Sequence, residues 1–186
     1  ARLILVTGGT GYVGSALVPL LAKRWPVRVY CLQAFGNAIA DTPNVEFVQG
    51  DMRDKAALAA ALHGVTDVIH LAAVVTDELV DMNPALGVRI NVDATSDLCW
   101  LAVQKRVQRF IYASSSSVYG STPDSEATED TTPAPMTAYA QSKLAGEEVV
   151  RSWSDRMMVG CLRLATLCGP APRMRLDTIV NTFCAQ

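Results

Sequence analysis

Tyr139 and Lys143 stand four residues apart in Tyr139-Ala140-Gln141-Ser142-Lys143. On a helix that spacing puts both side chains on one face. A protonated lysine beside a phenol favours the phenolate, which makes Tyr139 usable as a general acid or base near neutral pH. Taken alone the pair is common, and an incidental surface contact explains it as well. Four serines, Ser114 to Ser117, end a short apolar run. That is where a doubly wound sheet holds its ligands, although a serine run by itself is also an ordinary polar turn.

A third feature precedes both. Thr7-Gly8-Gly9-Thr10-Gly11-Tyr12-Val13-Gly14 follows an apolar segment and opens a helical one. In such a loop the first glycine permits a tight turn, the second lets backbone approach a pyrophosphate, and the third allows close helix–sheet packing. The helix N-terminus then offers free N–H groups and a positive dipole end to the phosphates. Gly8, Gly11, Tyr12, Val13 and Gly14 are therefore expected to hold a dinucleotide. No Gly-Lys-Ser/Thr follows, which excludes a P-loop. The acid that often bonds the adenosine ribose is missing, because the second apolar run ends in Tyr30-Cys31-Leu32-Gln33. No arginine lies between Val29 and Asp51 to accept an NADP phosphate. NAD is the expected cofactor, with NADP not excluded. Asp51 and Met52, after Gly50, sit where an acid reaches the adenine amino group or caps the next turn.

These groups need a scaffold, and the pattern supplies one. Apolar runs at 3–7, 27–32, 45–48, 67–71, 109–113 and 158–164 read as strands. Helical stretches run over 15–23, 55–62 (capped by Asp54), 84 to about 106, and 138 to about 153. On the first of these, Ala16, Leu17, Leu20 and Leu21 form the expected buried stripe. Residues 121–137 are rich in Ser, Thr, Pro, Asp and Glu and read as a surface loop. Alternating strands and helices with continuous apolar strands imply one doubly wound α/β domain on a mainly parallel sheet.

Composition removes other classes. A formal charge of -2 gives no field for nucleic acid, and no run approaches the length of a membrane span. Cys31, Cys99, Cys161, Cys168 and Cys184 are widely spaced and form no CxxC, which fits a reducing, cytoplasmic setting and no metal site. His63 and His70 are expected to be structural. The chain starts without Met and stops inside an apparent element, so a fragment is expected.

Together the motifs resemble the extended short-chain dehydrogenase/reductase family, and within it the nucleotide-sugar epimerases and dehydratases. The similarity runs from Leu3 to about Pro170. It includes TGGTGYVG at 7–14, GDMRD at 50–54, HLAA at 70–73, Asn91-Val92, YASSSSVYG at 112–120, YAQSK at 139–143 with Glu147 following, and Leu162-Arg163-Leu164 before Gly169-Pro170. The resemblance implies a Rossmann domain over 1–170, with 171–186 beginning a substrate-binding region that is largely absent. It implies Tyr139 as acid/base, Lys143 on the nicotinamide ribose, and Ser115 on the reacting hydroxyl. Leu71, Ala72 and Ala73 would line the cofactor, with Asn91 supporting that network. Ser116, Arg173, Arg175 and Asn181 are substrate candidates. Dehydratases of this family carry Asp and Glu after the serine position, whereas this chain has Ser116-Ser117. The resemblance therefore favours 4-epimerisation of a nucleotide sugar, with carbonyl reduction or a non-catalytic NAD(P)-binding module as alternatives. It also implies a homodimer paired through the helices at 84–106 and 138–153.

Overall fold

The first apolar run enters β1 (Ile4–Thr7) and the chain then alternates strand and helix to its end. In order follow α1 (Tyr12–Ala22), β2 (Val27–Cys31), β3 (Val45–Gln49), α2 (Lys55–Ala61), β4 (Asp67–His70), α3 (Asp77–Met82) and α4 (Pro84–Val88). A π-helical turn (Arg89–Asp93) leads into α5 (Ala94–Gln104), then β5 (Arg109–Ser115), a 3-10 turn (Ser116–Tyr119), α6 (Ala138–Arg151), β6 (Met158–Leu164) and α7 (Ile179–Cys184). The computed structural model describes residues 2–121 and 126–184. Part of the expected loop over 121–137 therefore lies outside the described residues.

The strand order is β3-β2-β1-β4-β5-β6, and every pair is parallel. This is the order of a Rossmann fold. Its direction reverses between β1 and β4, so the ligand crevice must open at the carboxyl ends of those strands. Side chains alternate across the sheet and bury two cores. Leu5 joins Leu58, Val68, Leu98 and Phe110 on one side. Ile4 and Val6 join Val18, Val27 and Val29 on the other.

Two helices differ from expectation. α1 begins at Tyr12 rather than Ser15, and it buries Gly14, Ser15, Val18 and Ala22 instead of the leucine stripe. Leu20 is 59% exposed. The reason is steric, since the glycine loop holds this helix so close to β1 that mainly small residues fit beneath it. The stretch from Pro84 is continuous to Gln104 but widens by one hydrogen-bond register at Arg89–Asp93. Before it, α3 was not expected from the pattern. Thr76 caps it by accepting from Leu79 N, and Asn83 caps α4 by accepting from Leu86 N.

Candidate active site

The glycine loop closes as its spacing requires. Gly8 has φ +71°, and a Cβ there would lie 2.7 Å from Ala72 N. A Cβ on Gly14 would come within 2.5 Å of Gly9 Cα. Gly11 faces open space apart from the Gly8 carbonyl and is the N-cap of α1, with no side chain satisfying the first-turn N–H groups. The helix therefore presents its donors to a cleft of about 850 Å³. Gly8, Gly11, Tyr12, Val13, Gly14, Asp51, Met52, Leu71, Ala72, Ala73, Ser115, Ser116, Tyr139, Lys143, Arg173 and Arg175 all line this one cleft. Its volume and its backbone donors fit a dinucleotide.

At another part of the wall, β5 and α6 bring the candidate acid–base groups together. Lys143 is buried, its Nζ donates to the Ala113 carbonyl at 2.8 Å, and it lies 4.9 Å over the Tyr112 ring and 5.9 Å over the Tyr139 ring. Burial pushes its pKa down to about 8, so it stays charged at neutral pH. Ser115 Oγ accepts from Ser117 Oγ at 2.8 Å and from Ser117 N at 3.2 Å. The Ser115 hydroxyl proton is thus left to donate elsewhere. Thr137 starts α6 by accepting from Ala140 N, which sets Tyr139 in the first turn.

Beneath the cleft runs an oriented chain of hydrogen bonds that the sequence did not show. Ala72 N donates to Thr7 Oγ1, and Thr7 Oγ1 pairs with His70 Nδ1 at 2.6 Å. His70 Nε2 meets Thr95 Oγ1 at 2.9 Å, and that hydroxyl donates to the Asn91 carbonyl. Because Thr95 spends its proton on Asn91, His70 carries its own on Nε2 and accepts at Nδ1. Burial pushes the imidazole pKa down to about 3, so it is neutral and structural. Asn91 is not in the cleft wall. It clamps Val74 through both backbone groups and donates to Ser142 Oγ, tying the π-helical turn to the β4 loop and to α6.

The remaining candidates separate. Asp51 lines the cleft, but Arg53 grips both of its oxygens, at 2.9 and 2.5 Å, and holds its carboxyl below the usual range. Asp51 Oδ1 also accepts from Arg53 N and so caps the turn before α2, whose own N-cap is Asp54 as expected. Asn181 does not reach the cleft. It is buried, accepts from Gly169 N, and donates to Tyr12 Oη and the Arg175 carbonyl, so it pins α7 to α1. Arg175 is clasped by Asp177 at 2.7 Å and stands near enough to Tyr139 to sense its charge. The guanidinium of Arg173 lies 4.2 Å over the ring of Phe35, in the loop after β2.

The profile described as the NAD dependent epimerase/dehydratase family matches residues 4–185. The chain belongs to that family. A dTDP-D-glucose 4,6-dehydratase from Homo sapiens is 30% identical over 183 residues, spanning 91% of this chain and 52% of that one. Among solved structures, a dTDP-glucose 4,6-dehydratase from Streptomyces venezuelae with NAD and TYD bound is 29% identical at TM-score 0.88, over 99% of this chain and 61% of that one. A UDP-glucose 4-epimerase from Thermus thermophilus in complex with NAD is 30% identical at TM-score 0.80, over 87% of this chain and 54% of that one. The chain spans about half the length of the curated relatives it matches.

Proposed function

We propose that the protein binds NAD and inverts a carbinol centre of a nucleotide sugar, C4 of the hexose, through a transient keto-sugar. The observation that carries this reading is the composition of the cleft. It gathers Ser115, Tyr139 and Lys143 against the glycine loop, and its single carboxylate among the described residues is Asp51, which Arg53 occupies. The dehydratases that the chain resembles carry an Asp–Glu pair after the serine position to eliminate water, and Ser116-Ser117 stand there in this chain.

When bound, NAD supplies the hydride acceptor and then the donor. Tyr139 removes the proton from the sugar hydroxyl as C–H cleaves, and returns it after the keto-sugar has presented its other face. Lys143, held by Ala113 and charged at neutral pH, favours the phenolate form of Tyr139. Ser115 donates to the reacting oxygen. Asn91 keeps the β4 loop in place through Val74. Arg175 lines the same cleft, with its guanidinium held by Asp177.

The test is incubation of the chain with NAD and UDP-hexoses, with the sugar products resolved by NMR. Appearance of the C4 epimer, without a 6-deoxy-4-keto product, is expected. A 6-deoxy-4-keto product would replace this reading by dehydration. Because the chain spans only about half of its relatives, cofactor binding without turnover would point to another substrate or to a requirement for the remainder of the relatives' length. We also propose that residues 171–186 begin a substrate-binding region. A further proposal is that two copies pair through α5 and α6, with the half-exposed Trp100 in the seam. Light scattering should then give twice the mass of 19.9 kDa, and a monomer would refute the pairing.

A further inference from the structure

The cleft is unevenly charged. Asp51 is opposed there by Arg53, Lys143, Arg173 and Arg175 among the described residues. Three of these cations have heads already engaged: Arg53 with Asp51, Lys143 with the Ala113 carbonyl, and Arg175 with Asp177. Arg173 is different. Among the described residues it makes no ion pair, and its guanidinium carbon lies 4.2 Å from the centre of the Phe35 ring. A cation–π contact of this kind holds the charge over the ring without a charged partner, so the guanidinium still has N–H donors to offer an anion. Phe35 lies just past Cys31-Leu32-Gln33, where a ribose-binding carboxylate would normally repel a phosphate. Cys31 instead meets Thr10 Oγ1 at 3.0 Å, and Leu32 is exposed. The segment carrying Arg173 is anchored there, because Arg173 N donates to Ser15 Oγ at 3.1 Å and Tyr12 Oη donates to the Gly169 carbonyl at 2.8 Å.

We infer that the cleft takes NADP(H) as well as NAD(H), with the Arg173 guanidinium donating to the 2′-phosphate of the adenosine ribose. The inference rests on the dinucleotide reading above. It moves Arg173 from the substrate end of the cleft to the cofactor end. An acid-free β2 terminus removes the repulsion, and a guanidinium on the facing segment supplies charge-assisted donors to a dianion.

The experiment is fluorescence titration of the chain with NADH and with NADPH, repeated for Arg173→Ala and for Leu32→Asp, with circular dichroism to verify folding. Kd for NADPH is expected within about tenfold of Kd for NADH. Arg173→Ala should weaken NADPH by roughly tenfold and NADH by less than about threefold. Leu32→Asp, which restores the acid without touching Arg173, should weaken NADPH selectively. If NADH binds and NADPH binds more than about 100-fold more weakly, the inference fails while the dinucleotide reading stands. Equal losses for both cofactors in Arg173→Ala overturn the role of Arg173. Binding of neither cofactor removes the reading and the inference together.

Discussion

A phenol and an ammonium become an acid–base pair only when something fixes both. Here Lys143 is locked between Tyr112 and the Ala113 carbonyl, and it sits one helical turn after Tyr139. Tyr139→Phe removes the proton acceptor but leaves the cleft wall. It is expected to lower kcat by roughly 10²–10⁴-fold with Kd for NADH unchanged, as single-turnover kinetics and titration would show. Full activity in Tyr139→Phe would rule the residue out as acid/base. These positions were legible in the sequence because a helix fixes the four-residue spacing and a strand end fixes the serine. The contacts of Arg173 and Asn181 were not, because they are made with Ser15 and Tyr12, more than 150 residues away. Nothing in local pattern encodes such a contact. His70 was legible as structural, whereas its proton position depends on Thr7 and Thr95 and emerges only from the fold.

Helix α6 places Tyr139, Lys143 and Glu147 on successive turns, and the last of these anchors the other two. The Glu147 carboxylate is buried, accepts from Ser114 Oγ at 2.6 Å, and takes Arg163 at 2.9 and 2.8 Å. It thereby joins α6 to β5 and β6, while Arg163 also lies 4.8 Å over Tyr119. Glu147→Ala leaves a nearly buried guanidinium without its counter-charge. The expected loss is about 3–5 kcal/mol in urea unfolding, largely recovered when Arg163→Met is added. A loss under about 1 kcal/mol would mean that the pair does not hold the helix. The strands were legible because buried parallel strands are continuous apolar runs. The leucine stripe misled in α1, since close packing against the glycine loop selects small residues over large ones. α3 escaped notice for a different reason: it is six residues long, and of its apolar residues Val80 is buried while Leu79 and Met82 are exposed, so no stripe of helical period marks it.

Across the whole molecule, the buried network under the cleft makes folding depend on pH. His70 has a folded pKa of about 3 against an ordinary value of 6.5, because burial disfavours the imidazolium. Between those values the unfolded chain binds a proton that the folded chain does not. Stability from this group is complete above about pH 6.5 and falls as the pH is lowered towards 3. Asp51, Asp67, Glu147 and Asp177 also have lowered pKa values, held down by their arginine partners. They contribute the same sign, but only once the pH approaches the ordinary carboxylate range near 4. The interval from about 6.5 to 5 therefore isolates His70, and at pH 5 its contribution to the loss is about 2 kcal/mol. Urea midpoints measured at pH 7.5 and pH 5 should differ accordingly. The difference should shrink in His70→Asn, which keeps a polar group between Thr7 and Thr95 but cannot titrate. A pH-independent midpoint over this interval in the unaltered chain would mean that the imidazole is protonated in the fold. The same network orients Ala72 and the Asn91 clamp on Val74 at the cleft wall, and because His70 stays neutral in the folded chain until the pH nears 3, the folded cofactor site keeps this arrangement throughout the interval. NADH affinity measured across this interval should consequently stay constant while the urea midpoint falls, and an affinity that fell with the midpoint would mean that the imidazole titrates in the fold.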